Sequence, residues 1–237
     1  MKAIIVEGAD GLGKTTISKY LAQVLEWDWI RQPNPNSILG WIKREVKENF
    51  DWNPVERQLL HTCSNLVDYL TVKENTVFDR FWLSTYVYSK MLGIDDKIVN
   101  TLVKINRDVF EKVFSEYKIV ILTGNQPFIK ADRDYYEKKG KWDFLNNLYK
   151  NLPAQFPDLD IKVIDVTSKT VPTILYEVLE KVELVHKVSI EKFLNAFGDE
   201  ELVKALLWVY GILPDETLAD IELPIIDEWV QIILKGG

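Results

Sequence analysis

Eight residues near the N-terminus constrain the fold of this 237-residue chain more than any others. Gly8-Ala9-Asp10-Gly11-Leu12-Gly13-Lys14-Thr15 matches G-x-x-x-x-G-K-[ST], follows the apolar run Ala3-Ile4-Ile5-Val6 and opens a helix-forming run. Glycines let successive backbone N–H groups turn inward around phosphate oxygens, and the N-terminus of the following helix adds positive potential. Lys14 supplies a mobile charge for the β- and γ-phosphates, and Thr15 a hydroxyl for Mg²⁺. The nucleotide-binding segment therefore runs through Asp10, Gly11, Leu12, Gly13, Lys14, Thr15 and Thr16.

The rest of the chain alternates strand and helix patterns. Lys2–Gly8 reads as a short buried strand, and Lys14–Leu25 as a helix with Ile17, Leu21, Val24 and Leu25 on one face. Trp29-Ile30 is a weaker strand signal, cut off by Pro33 and Pro35. Asn53-Pro54-Val55-Glu56 carries an N-cap, a first-turn proline and a Glu three residues after the cap. The helix it starts is expected to reach about Val72 and to bury Leu59, Leu60, Cys63, Leu66, Val67 and Leu70. Further strands are expected at Thr76–Asp79, Lys118–Leu122 and Ile161–Val166, with helices near 82–92, 96–116, 142–151 and 171–186. This order implies an α/β fold of the P-loop NTPase type, a five-stranded parallel sheet with helices on both faces. A charged stretch at 125–141 interrupts it.

Residues 187–237 differ in composition. They hold four lysines against ten acidic residues, nearly all of the chain's net charge of −7. Phe193, Leu194, Phe197, Leu202, Leu206, Leu207, Ile225, Ile226, Trp229 and Ile233 recur at helical spacing. We read this as a small all-α appendage to a body at 1–186, with a structural or dimer-forming role, which makes a homodimer one expectation. Neither part has the basic excess of a nucleic-acid-tracking protein, so nucleic acid is not an expected partner. No apolar run approaches the ~20 residues that span a bilayer. The single cysteine, Cys63, allows no intrachain disulfide and points to the reducing cytoplasm.

The glycine loop alone does not separate kinases from other nucleotide-binding enzymes. A GTPase calls for an Asn-Lys-x-Asp motif, which is missing. A motor ATPase calls for a longer chain and an apolar strand ending in an acidic metal ligand, which Thr76-Val77-Phe78-Asp79 matches only in part.

Several segments in order resemble thymidylate kinase and its deoxynucleotide-kinase relatives. Glu7-Gly8 and Asp10 match the family's loop. Arg31-Gln32-Pro33 stands where the family has Arg-Glu-Pro, and Asp79-Arg80-Phe81 with Ser84 and Tyr88 is similar to its Asp-Arg-Tyr/His segment. Asp132-Arg133, then Trp142-Asp143-Phe144-Leu145 and Leu148-Tyr149, resemble its lid and the helix that follows. The resemblance covers roughly residues 1–186. It implies transfer of the ATP γ-phosphate, with Mg²⁺, onto a deoxynucleoside monophosphate, dTMP or another pyrimidine. In that scheme Arg31 and Arg80 grip the acceptor phosphate, with Arg80 also facing the transferring group. Asp79 stands near Mg²⁺ through water, and Asp10 reaches the acceptor sugar or orients Arg80. Tyr88 fills the place of a ribose 2′-hydroxyl. Ser84 and Tyr88, four residues apart on a helix, share a face and look into one pocket.

The departures bear on the substrate. His61 and Asn65 occupy positions where the family presents a Phe and an Arg to the base. With Arg57 and Asp68 they form a polar stripe, either a solvated surface or a base-reading wall richer in hydrogen bonds than usual. Gly11 stands where some members carry an Arg, so Arg133 is assigned the second cation. Two other readings stay open. One is a kinase acting on a hydroxyl of a nucleoside or of a modified base in DNA, with Glu7 or Asp79 as general base. The other is a nucleotide-binding regulator without transfer activity.

Overall fold

The computed structural model describes residues 1–34, 40, 53–125, 141–188, 192, 193 and 196. The expected lid at 125–141, including Arg133, lies outside these residues except at its two ends, and so does nearly all of the expected appendage.

Strand β1 (Lys2–Gly8) is buried on both sides, with Ala3, Ile4, Ile5 and Val6 almost without exposure. A strand apolar at consecutive positions belongs in the middle of a parallel sheet covered on both faces. It lies between β3 (Thr76–Asp79) and β4 (Glu116–Thr123), with β2 (Asp28–Arg31) and β5 (Ile161–Asp165) at the edges. The order is β2-β3-β1-β4-β5, and every pairing is parallel. In such sheets ligands bind outside the carboxyl ends of the strands.

Helix α1 (Lys14–Leu25) buries Ile17, Leu21 and Val24, as its spacing predicts, and packs with α7 (Val171–Lys181). Helices α2 (Pro54–Thr71), α3 (Trp82–Met91), α4 (Asp96–Val113) and α5 (Trp142–Lys150) pack together as a second layer, and α6 (Leu152–Gln155) is a single turn after α5. Tyr69, Phe78, Phe110 and Phe114 join α2, β3 and α4 through ring contacts with centroids 4.7–5.9 Å apart. Phe193 is buried against the body, and Lys192 pairs with Glu26 at 2.8 Å.

Several boundaries move from expectation for identifiable reasons. Helix α4 ends at Val113 rather than 116, because Phe114 turns extended and the Ser115 N–H donates to the Met1 carbonyl. That bond starts β4 beside β1, at the Lys2–Glu116 pair. Helices α1 and α7 both close with glutamate in the left-handed region, Glu26 at φ 56° and Glu183 at φ 62°. In each, the next N–H reaches back five residues, Trp27 to Ala22 and Leu184 to Leu179. Glycine usually takes that place; α1 nonetheless ends at Leu25 as expected, while the end of α7 leaves no mark in the sequence. Helix α7 therefore stops at Lys181, and a 3-10 turn at Val185–Lys187 replaces its expected last turn.

Helix α2 departs most. Its start is as expected: Asn53 accepts from the Val55 and Glu56 N–H groups, and Glu56 accepts from the Asn53 N–H. Its orientation is the reverse. Leu59, Cys63, Val67 and Leu70 are exposed, Leu70 at 68%, and Leu60 and Leu66 are only half-buried. Gln58, Thr62, Ser64, Asn65, Asp68 and Tyr69 face inward. Polar groups tolerate this burial when they are hydrogen-bonded. Asn106 of α4 donates to Thr62 Oγ1 at 3.0 Å and accepts from Asn65 at 3.4 Å, while Asp68 accepts from Gln32 and from the Asn34 N–H.

Candidate active site

Gly8 ends β1 at φ 141°, where a Cβ would stand 2.3 Å from the Leu122 carbonyl oxygen. Only glycine lets β1 run this close to β4 and still turn. Gly13 then caps α1 at φ 79°. Between them Lys14 is folded back, its ammonium donating to the Ala9 carbonyl at 2.5 Å and lying 3.8 Å from Asp10. Burial first, and then the neighbouring Arg80 charge, lower the Lys14 pKa to about 8. An anion in the loop would oppose both effects by adding to the counter-charge of Asp10 and Asp79.

Thr15 Oγ1 donates to Asp79 Oδ2 at 2.5 Å, and Arg31 Nε lies 3.7 Å from the same oxygen. Asp79 Oδ1 is buried without a hydrogen-bond partner. A buried carboxylate oxygen without a donor, beside a loop hydroxyl, suits a hard divalent cation that keeps most of its own water and phosphate ligands. Thr15 and Asp79 thus fit Mg²⁺ as a pair. Thr16, one residue on, is exposed.

Arg80 follows directly from β3 in the left-handed region, at φ 74°, a strained backbone for a residue with a Cβ. Its N–H donates to Val6, which fixes it against β1. The guanidinium is surrounded. Nη1 donates to Tyr149 Oη at 3.0 Å, Ser84 Oγ at 3.1 Å and the Gly8 carbonyl at 3.4 Å, and Nη2 bonds Asp10 Oδ1. Tyr88 donates to Asp10 Oδ2 at 2.8 Å, and its ring centroid lies 5.5 Å from the Arg80 guanidinium carbon. Asp79 and Arg80, adjacent in sequence, serve different partners: Asp79 faces Thr15 and Arg31, and Arg80 faces Asp10.

Glu7 lies beneath this group with no exposure. It accepts from the Phe81 N–H, the Ser84 N–H and the Ser84 hydroxyl at 2.8–3.1 Å, acting as the cap of α3 from a distant strand. Burial raises its pKa, opposed by the Arg80 charge and by these donors. Helix α5 reaches the same place from the other side. Trp142 Nε1 donates to the Asp10 carbonyl at 2.9 Å, Asn146 donates to the Gly124 carbonyl at 2.8 Å, and the Tyr149 hydroxyl meets Arg80 and Ser84.

Lys14, Asp10, Arg80, Ser84 and Tyr88 are therefore connected through one set of contacts, and Thr15, Asp79 and Arg31 through a second beside it. Asn65 bonds Asn106 at the contact of α2 with α4, and His61 is half-buried on α2. Arg133 is outside the described residues. Sequence reasoning assigned no role to Tyr149 or Trp142. Their trace is two aromatic residues seven apart on the short helix α5, with Leu145 and Asn146 on the same buried side.

A parallel sheet bearing a glycine loop, with a lysine, a hydroxyl and two guanidinium groups at its carboxyl edge, defines a P-loop phosphotransferase. The thymidylate kinase family model matches residues 6–172, and the chain belongs to that family of nucleoside-monophosphate kinases. A probable thymidylate kinase of Methanocaldococcus jannaschii is 29% identical over 184 residues, covering 74% of this chain and 93% of its own length. One from Archaeoglobus fulgidus is 27% identical over 207 residues, covering 81% and 96%. The fold is also that of thymidylate kinase from Candida albicans, at TM-score 0.56, 18% identity and coverage of 77% and 92%. Deoxyadenosine kinase from M. mycoides matches at TM-score 0.53, 20% identity and coverage of 78% and 100%.

Proposed function

We propose that the chain transfers the γ-phosphate of ATP to dTMP or another pyrimidine deoxynucleoside monophosphate, giving ADP and the diphosphate. The observation that carries this reading is the pair of guanidinium groups at the carboxyl ends of the strands, Arg31 on Asp79 and Arg80 on Asp10. Two forks that stay charged suit an acceptor phosphate of nearly two negative charges. An acceptor oxygen attacks the γ-phosphorus as its bond to the β-bridging oxygen breaks, and ADP leaves with that electron pair. Lys14, released from Ala9, and Arg80 meet the charge on the transferring group. Thr15 and Asp79 would hold Mg²⁺, which supplies further neutralisation of the phosphates. Arg133 remains the assigned lid cation and His61 the assigned base-side group, while Asn65, assigned with it, is bonded to Asn106 at the contact of α2 with α4.

The hydroxyl-kinase alternative needs a free general base. Glu7, one of the two candidates, has no exposure and already accepts from the Phe81 N–H, the Ser84 N–H and the Ser84 hydroxyl, which disfavours it in that role. Residues 1–186 act in this reading as the kinase body and 187–237 as an appendage. The reducing cytoplasm fits a chain whose one cysteine is exposed and free.

Helix α2 supports a homodimer. Leu59, Cys63, Val67 and Leu70 run along its exposed side, between Glu56 and Arg57 at one end and Lys73 and Glu74 at the other. Two copies packed antiparallel along this side bring Glu56 and Arg57 of one toward Lys73 and Glu74 of the other, so apolar and charged groups both match.

Product analysis across the common deoxy- and ribonucleoside monophosphates, with Mg-ATP, tests the substrate. We expect pyrimidine deoxynucleotides to lead and Tyr88→Ala to narrow the gap between deoxy and ribo forms. Equal use of both sugars by the unmutated protein removes that role from Tyr88.

A further inference from the structure

We propose that Tyr149 is a positioning residue for Arg80, holding the guanidinium off the buried Glu7 carboxylate and directed across the glycine loop at Asp10. The inference rests on the transfer role given to Arg80 above.

The argument begins with hydrogen-bond direction. A guanidinium only donates, so the Tyr149 oxygen must accept from Arg80 Nη1, at 3.0 Å. The Tyr149 proton is then free for Ser84 Oγ, also 3.0 Å away, and the Ser84 proton goes to Glu7 at 2.8 Å. The chain of donors runs one way, from Arg80 through two hydroxyls to a carboxylate. Both hydroxyls stand between opposite charges that approach only to 3.9 Å, Arg80 Nη1 to Glu7 Oε2. Glu7 is fully buried and the Arg80 side chain is 14% exposed, so little water screens their attraction. Without the Tyr149 oxygen the shortest of the three Nη1 contacts is lost, and the nearest charge on that side is Glu7. Arg80 then moves down toward Glu7 and away from the acceptor.

The tyrosine is well placed to resist this pull. Its ring is fully buried, and α5 is fastened on two further points, Trp142 on the Asp10 carbonyl and Asn146 on the Gly124 carbonyl. Tyr149 thus ties Arg80 to the element that also holds the loop.

Tyr149→Phe tests this, since it removes one oxygen and keeps the ring. Steady-state kinetics with each substrate varied should give kcat/KM for the acceptor about tenfold lower or more, as for a lost hydrogen bond to a charged group, with the KM for ATP little changed. In a Glu7→Gln background, where the competing charge is gone, the same substitution should cost much less. Arg80→Ala is measured alongside. If Arg80→Ala loses activity while Tyr149→Phe behaves as wild type, the positioning role is wrong and the function stands. If Tyr149→Phe costs as much in the Glu7→Gln background, or raises both KM values in step with a fall in Tm, the residue is merely structural. If Arg80→Ala keeps full activity, the function reading fails and this inference with it.

Discussion

The glycine loop and helix α2 use buried polarity in opposite ways. In the loop, buried charge is held in reserve. Lys14 rests on a backbone carbonyl, Asp79 keeps one oxygen without a partner, and Arg80 is shared among five groups. In α2, buried polarity is spent on the fold: Thr62, Asn65 and Asn106 satisfy one another, while leucines that would ordinarily fill a core face outward. A polar group awaiting a ligand and one that cements two helices look alike in a sequence. Their partners tell them apart.

Lys14 gives the largest expected difference. Lys14→Ala should lower kcat by about 10²–10³, as for loss of a group that meets developing charge, while leaving Tm nearly unchanged. Near-normal turnover would mean that the loop is not the site of transfer. The same lysine predicts a pH dependence with a definite sign. The charged form binds phosphate and its pKa is depressed to about 8, so kcat/KM for ATP should be level below that pH and fall toward tenfold per unit above it. A profile flat to pH 10 would contradict the burial that causes the shift.

Helix α2 sharpens the contrast from the other side. Asn106→Ala should destabilise the fold by about 1–3 kcal/mol, because it leaves Asn65 and Thr62 buried without their partner. Leu70→Ser should change the monomer's stability by no more than about 0.5 kcal/mol, as an exposed position does, yet weaken association of two copies. Denaturant unfolding and sedimentation of each variant check both halves. A large loss of monomer stability from Leu70→Ser and a small one from Asn106→Ala would restore the face that periodicity predicts.

This helix also marks where sequence reading stops. Hydrophobic spacing located α2 and its cap, because Asn53, Pro54 and Glu56 act on neighbours within one turn. It chose the wrong face, because the groups that satisfy Asn65 and Asp68 come from residues 106, 32 and 34. Site legibility divides the same way. Gly8, Lys14 and Thr15 were readable since backbone geometry and phosphate chemistry admit few substitutes at those positions. Asp79, Arg80 and Tyr88 became readable through family resemblance. Tyr149 and Trp142 did not, since their roles depend on a helix that meets the loop only in three dimensions. The end of α7 at Glu183 escaped because a left-handed glutamate has no residue signature, whereas α1 ends at Leu25 as its spacing predicts.

The claim on which the rest depends is that the acceptor is a phosphate gripped by two arginines. Initial rates with dTMP and with thymidine, for the unmutated protein and for Arg31→Ala, test it most directly. The account predicts turnover of dTMP and little of thymidine. It also predicts a KM for dTMP raised about ten- to a hundredfold by Arg31→Ala, with the KM for ATP little changed. Preference for thymidine, or a dTMP KM unmoved by Arg31→Ala, would contradict it.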